Sequence, residues 1–132
     1  MRLLTLLASV AYGRRTKGVD DKQGDELVVV GAQASLRFLN ERGQLFYDPA
    51  AEWLRTRCEC GRSDCQGYVE LRQREYEAIR SDGRCFVVLP GHGVDAVERP
   101  IVRCERFDVV RTTGIAAQVA ADLAPRPPPA GA

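Results

Sequence analysis

Histidine, tryptophan and methionine each occur once in this 132-residue chain, and only Lys17 and Lys22 among its 19 basic residues are lysines. These scarcities exclude several kinds of chemistry. With one histidine there is no H-E-x-x-H element, and a Ser-His-Asp or Cys-His arrangement would have to take its only imidazole. No phosphate-binding G-x-x-x-x-G-K-[ST] loop, no G-x-G-x-x-G turn and no H-x-E with P-C-x-x-C pair is present. No apolar run approaches the roughly 18 residues that cross a bilayer. Net charge is +1 and aromatics are 7%, so the chain as a whole exerts no general pull on nucleic acid or an anionic membrane. No small-molecule substrate is evident, and the chain reads as a non-enzyme.

What is present reads as one globular domain, 45% apolar and 28% charged. Met1-Arg2 followed by Leu3 to Ala11 has the outline of a minimal signal peptide, with Ser9 and Ala11 small enough for cleavage. The run is short, however, and Arg14, Arg15 and Lys17 follow at once. A buried strand or helix in a cytoplasmic protein is the preferred reading, with secretion as the alternative.

Five cysteines make an odd count, which argues against a purely disulfide framework. Three of them, Cys58, Cys60 and Cys65, fall within eight residues in the order C-x-C-x4-C. Such density is typical of a metal site in a reducing compartment. Gly61, Ser63 and Asp64 suit the turn between the second and third thiols. Zinc takes four tetrahedral N or S ligands. His92, between Gly91 and Gly93, is the expected fourth; Cys85 and Cys104 lie in predicted strands, where cysteine is usually a small buried hydrophobe. Arg55, Arg57 and Arg62 flank the cluster and would offset the thiolate charge. They also form a small basic patch, but the near-neutral total argues against nucleic acid. Glu59, between two of the cysteines, is expected to face solvent.

Along the chain, 13–24 reads as a loop, 27–30 as a strand and 32–41 as a helix. A turn at Phe46-Tyr47-Asp48-Pro49 leads to a short helix holding Trp53 and Leu54 inward. Then follow a strand at 68–71, a charged helix at 73–80, a strand at 85–89, two strands at 101–104 and 107–110, and an Ala-rich helix at 114–123. The fold class is α+β: a small mixed domain with a zinc-stabilised, zinc-ribbon-like loop, a short sheet and two to four short helices. Residues 1–31 form an unassigned N-terminal segment, 32–124 the zinc-binding domain, and 125–132 a Pro-rich disordered tail.

Cys58-Glu59-Cys60-Gly61 with Cys65, Val69-Glu70-Leu71, Glu75-Tyr76-Glu77-Ala78 and Pro90-Gly91-His92 occur in a set order. In this the chain resembles a family of short bacterial proteins with a Cys-Glu-Cys-x4-Cys and Pro-Gly-His pattern. Val97-Glu98-Arg99, Val109-Val110 and Gly114 to Ala117 are similar to that family's C-terminal part, so the resemblance covers about Arg55 to Ala124. Two positions depart from it: Arg72 stands where a helix-capping hydroxyl is expected, and Gly93 where an acidic residue follows the histidine. The resemblance implies a metal-binding module with no established activity, and it favours His92 as the fourth ligand. The functional expectation is a structural zinc module with a protein partner. The alternatives are a thiol-based redox or zinc sensor, with Cys85 or Cys104 as resolving thiols, and a nucleic-acid-binding zinc module.

Overall fold

A computed structural model describes residues 21–126. The signal-peptide reading of residues 1–11, most of the 13–24 loop and nearly all of the Pro-rich tail lie outside the described residues. The architecture is mixed α+β, with three helices and two small antiparallel sheets among the described residues. The elements, in chain order, are α1 (Asp21–Gln44), β1 (Trp53–Arg57), β2 (Tyr68–Arg72), α2 (Gln73–Arg80), β3 (Cys85–Val88), β4 (Glu98–Arg103), β5 (Asp108–Thr112) and α3 (Gly114–Asp122).

The strand expected at 27–30 is not formed; those residues lie within the 24-residue helix α1, which also crosses the boundary placed between 31 and 32. Its buried positions are Val30, Gln33, Ala34, Arg37 and Asn40, a helical spacing. Three of these five are polar, and each finds partners in another element. Gln33 donates to Glu98 Oε1 at 2.7 Å. Arg37 donates to the Gly83 and Ala120 carbonyls at 2.6 and 2.7 Å, with its guanidinium over the Phe86 ring at 4.6 Å. Burial and the charge of nearby Arg80 bring the Arg37 pKa down to about 10. Asn40 acts as a substitute strand partner: its Oδ1 accepts the Arg57 N–H at 2.8 Å and its Nδ2 donates to the Arg57 carbonyl at 3.0 Å.

The helix expected after Pro49 is also absent. Asp48 accepts the Ala50 N–H at 2.8 Å and makes a turn instead. Trp53–Arg57 then runs as β1, with Leu54 and Thr56 buried and Trp53 and Arg55 exposed. β1 pairs with β2 in the register Trp53↔Arg72, Arg55↔Glu70 and Arg57↔Tyr68. The second sheet has the order β3-β5-β4. Its edge strand β4 carries Pro100 and shifts register between Pro100 and Val102, where a proline costs no interior ladder bond.

α2 and α3 fall where expected. At the start of α2, Glu75 accepts the Arg72 N–H at 2.7 Å, the half of a capping box that the third helical residue supplies; the other half, acceptance of the Glu75 N–H by a cap hydroxyl, has no counterpart in an arginine. The core is Val30, Leu54, Val69, Leu71, Tyr76, Ile79, Phe86, Val87, Val88, Val109, Val110 and their neighbours. Each such side chain contributes about 1.5–3 kcal/mol when fully buried. At the C-terminal end, Arg126 pairs with Glu41 and Glu77. No helix among the described residues is long and apolar enough to cross a membrane.

Candidate metal centre

The segment between β1 and β2, residues 58–67, is the connection of a hairpin. Its first residues continue in extended form, held by Cys58 N–H to the Gly67 carbonyl at 3.0 Å and Glu59 N–H to the Val87 carbonyl at 2.9 Å. Alternate side chains of extended backbone point to opposite faces. Cys58 and Cys60 therefore share one side, and Glu59 occupies the other. Gly61 then takes φ +77°, a left-handed conformation that L side chains adopt only with strain. A turn closed by Cys65 N–H to the Arg62 carbonyl at 3.2 Å returns the third thiol to the first two.

The fourth side chain arrives from the loop after β3. His92 N–H donates to the Leu89 carbonyl at 3.0 Å, Gly91 has φ +79°, and Gly91 N–H donates to Asp108 Oδ2 at 3.0 Å. A buried carboxylate on β5 thus fixes the loop that carries the imidazole. Nδ1 of His92 lies 3.8 Å from Cys58 Sγ and 3.6 Å from Cys65 Sγ. All four possible ligand atoms, the three thiols and one imidazole nitrogen, lie within 4.8 Å of one another. Ligands at 2.0–2.3 Å in a tetrahedron sit about 3.6 Å apart. The two His–Cys spacings match that edge, and with every pair within 4.8 Å the donor set can close around a metal ion. The Leu89 N–H aims at Cys58 Sγ from 3.1 Å, the kind of outer contact that holds a sulfur ligand in place.

Cys58 and Cys60 are buried, while Cys65 and His92 are partly exposed. As a free thiol Cys58 is pushed up to about 12, chiefly by burial, with the Leu89 amide partly offsetting it. Burial likewise raises Cys60. For Cys65 burial acts upward but is outweighed by the Gly67 amide and the neighbouring thiols, so it is lowered. A metal ion reverses the penalty at the buried pair, because coordination stabilises the thiolate.

Cys85 is buried on β3, and Cys104 is exposed with its thiol donating to the Phe107 carbonyl at 3.3 Å; neither belongs to the four. Gly67 is closely packed as well: a Cβ there would stand 2.2 Å from Leu89 Cδ1 and 3.7 Å from Cys65 Sγ.

Glu59 corrects one expectation. It does not face solvent; it is fully buried. Its carboxylate pairs with Arg80, accepts Asn40 Nδ2 at 2.7 Å and accepts the Val87 N–H at 3.0 Å. Burial acts to lower the Arg80 pKa, but Glu59 and Tyr76 together more than offset this and raise it. The C-x-C spacing carried the signal for this: if both thiols face the metal from an extended segment, the middle residue must face the core.

The fold and this site together define a small α+β domain whose β1–β2 hairpin is closed by a Cys3His cluster. Comparison with known proteins adds nothing to that class: no family model, no curated protein and no solved structure matches the chain.

Proposed function

We propose that the protein is a small zinc module in which the metal is structural, held by Cys58, Cys60, Cys65 and His92, and that it serves partner binding rather than catalysis. The observation that carries this reading is the convergence of four ligand atoms within 4.8 Å. Three thiolates and an imidazole at one centre favour zinc over harder or redox-active ions. Four protein ligands close the coordination sphere and leave no position for a reacting water. Of the two carboxylates adjacent in sequence to the thiols, Asp64 is exposed to solvent, and Glu59 is turned into the core and committed to Arg80, Asn40 and Val87. A general base would need to reach the metal side. The zinc then closes the hairpin, so its binding free energy is folding free energy. Such a thiol site belongs in a reducing compartment.

Thiol accessibility tests the reading. In reduced, folded protein a thiol reagent should modify Cys104 quickly and leave Cys58, Cys60 and Cys65 untouched until a strong chelator is added. Immediate reaction of Cys65, unchanged by the chelator, would contradict it.

A further inference from the structure

Two exposed aromatic rings and four guanidinium groups share the outer face of the β1–β2 hairpin. Trp53 is 44% exposed and Tyr68 48%. The cross-strand register sets Trp53 opposite Arg72 and Tyr68 opposite Arg57, with the Arg55–Glu70 rung between them. Arg55 and Arg57 lie over the Tyr68 ring at 4.4 and 5.7 Å. Arg72 and Arg106 flank Trp53 at 4.5 and 5.1 Å. The two outer rungs are four residues apart, about 13 Å along the strand.

The charges of this face are not equally committed. Arg72 pairs with Glu52, and Arg106 with Glu75 through two bonds of 3.0 and 2.9 Å. Among the described residues no carboxylate lies within ion-pair distance of Arg55 or Arg57. Both sit beside the exposed Tyr68 ring, and Glu70 is the only acid among the outward residues of the two strands. The chain is nearly neutral overall, but here the fold gathers four guanidiniums against three carboxylates, Glu52, Glu70 and Glu75, around flat rings, and among the described residues Arg57 is the one with neither an ion pair nor an acid opposite it.

We propose that this face binds single-stranded nucleic acid, with bases stacking on Trp53 and Tyr68 and phosphates neutralised by Arg55 and Arg57. Charge complementarity and the rings point to the same ligand. Base–aromatic stacking tolerates any sequence, because every base has a π face, and arginine on the same ring adds to it. An acidic peptide would use the guanidiniums but leave uncovered the part of both rings that is still exposed, which a base can cover. The proposal names the partner of the zinc module above and rests on that reading: residues 58–67 join the two strands, so the metal holds the face in shape.

Trp53 is the only tryptophan, and its emission reports occupancy directly. The full metal-loaded chain is titrated at low salt with a 12-mer of oligo-dT, the matching 12-mer duplex, and poly-glutamate of equal charge. Zinc content is measured on the same samples. The expected result is quenching of Trp53 by the single strand, weak or no response to the duplex, and log K falling against log salt with a slope of about −1.4 for two phosphates. Tyr68→Ala should weaken binding about tenfold and Tyr68→Phe should restore it. Arg55→Ala combined with Arg57→Ala should remove most of the salt dependence, with zinc content unchanged in every variant. No quenching at low salt in zinc-loaded protein overturns the proposal while leaving the zinc reading intact. Displacement of the oligonucleotide by poly-glutamate at equal charge overturns it in favour of an acidic protein partner. Absence of zinc in the sample would instead overturn the reading beneath it.

Discussion

The Glu59 carboxylate meets the Arg80 guanidinium in the interior of the domain, with the two side chains 0% and 2% exposed, while the thiols on either side of Glu59 turn the other way toward His92. One short extended segment therefore presents metal ligands on one face and a buried ion pair on the other. Asn40 and the Val87 amide complete the carboxylate's hydrogen bonds, which is what allows a charged pair to be held in the core at all.

Glu59→Gln should therefore cost about 3 kcal/mol, because it leaves the buried Arg80 charge with only the longer, 3.8 Å pairing to Glu41. Urea unfolding of the metal-loaded protein measures it. Glu59→Gln with a stability change below about 0.5 kcal/mol, the usual scale of a surface substitution, would mean that the pair contributes little.

Cys60→Ser should strip the metal and lower stability by several kcal/mol, since structural zinc contributes directly to folding. Cys104→Ser, at an exposed thiol outside the cluster, should leave metal content and melting temperature as they are. Loss of metal on changing Cys104 would show that the fourth ligand is not His92.

Gly61→Ala places a Cβ on backbone at φ +77° and 3.1 Å from Gln33 Cγ. The left-handed conformation alone costs about 1–2 kcal/mol. The variant should unfold earlier in urea by that amount, and its metal should exchange faster with a chelator, because the turn that returns Cys65 is strained.

Glu98 gives a pH signature. It is buried, accepts Gln33 Nε2 and the Val94 N–H, and burial raises its pKa above the ordinary carboxylate value. The folded state therefore holds this proton more tightly than the unfolded chain. Its contribution to stability is fully present below the unfolded pKa, near 4.5, and is lost as pH rises through the folded value. Glu98→Gln is neutral at every pH, and its amide can donate to Gln33 Oε1, which has no partner in the native structure. The melting temperature of the variant, relative to wild type, should climb as pH increases from about 4.5 to 7. A constant difference across that range would show that Glu98 ionises normally in the fold.

The elements that the sequence revealed are those whose inward residues are apolar. Cys85–Val88 is buried at every position, and in α2 Tyr76 and Ile79 are buried at helical spacing; both read directly. Helix α1 read as helix only over 32–41, and three of the five residues on its buried stripe, Gln33, Arg37 and Asn40, are polar groups whose partners Glu98, Gly83, Ala120 and Arg57 lie further along the chain. The apolar run Leu27 to Val30 then looked like a strand. β1 was hidden for a similar reason, with Leu54 the only large apolar residue on its inner side and Asp48-Pro49 imitating a helix start. The cluster was legible because thiols have few other uses at that spacing, and His92 had no rival imidazole. Glu59 was not, since a charged residue in a polar loop gives no hint of Arg80, 21 positions away.

Metal content decides the matter most directly. Wild type and His92→Ala, purified together under reducing conditions, should be compared by elemental analysis. One zinc per wild-type chain, lost or weakened in His92→Ala, is the expected result. Reduced, folded wild type that contains no zinc and takes up none when it is supplied would contradict a Cys3His zinc site.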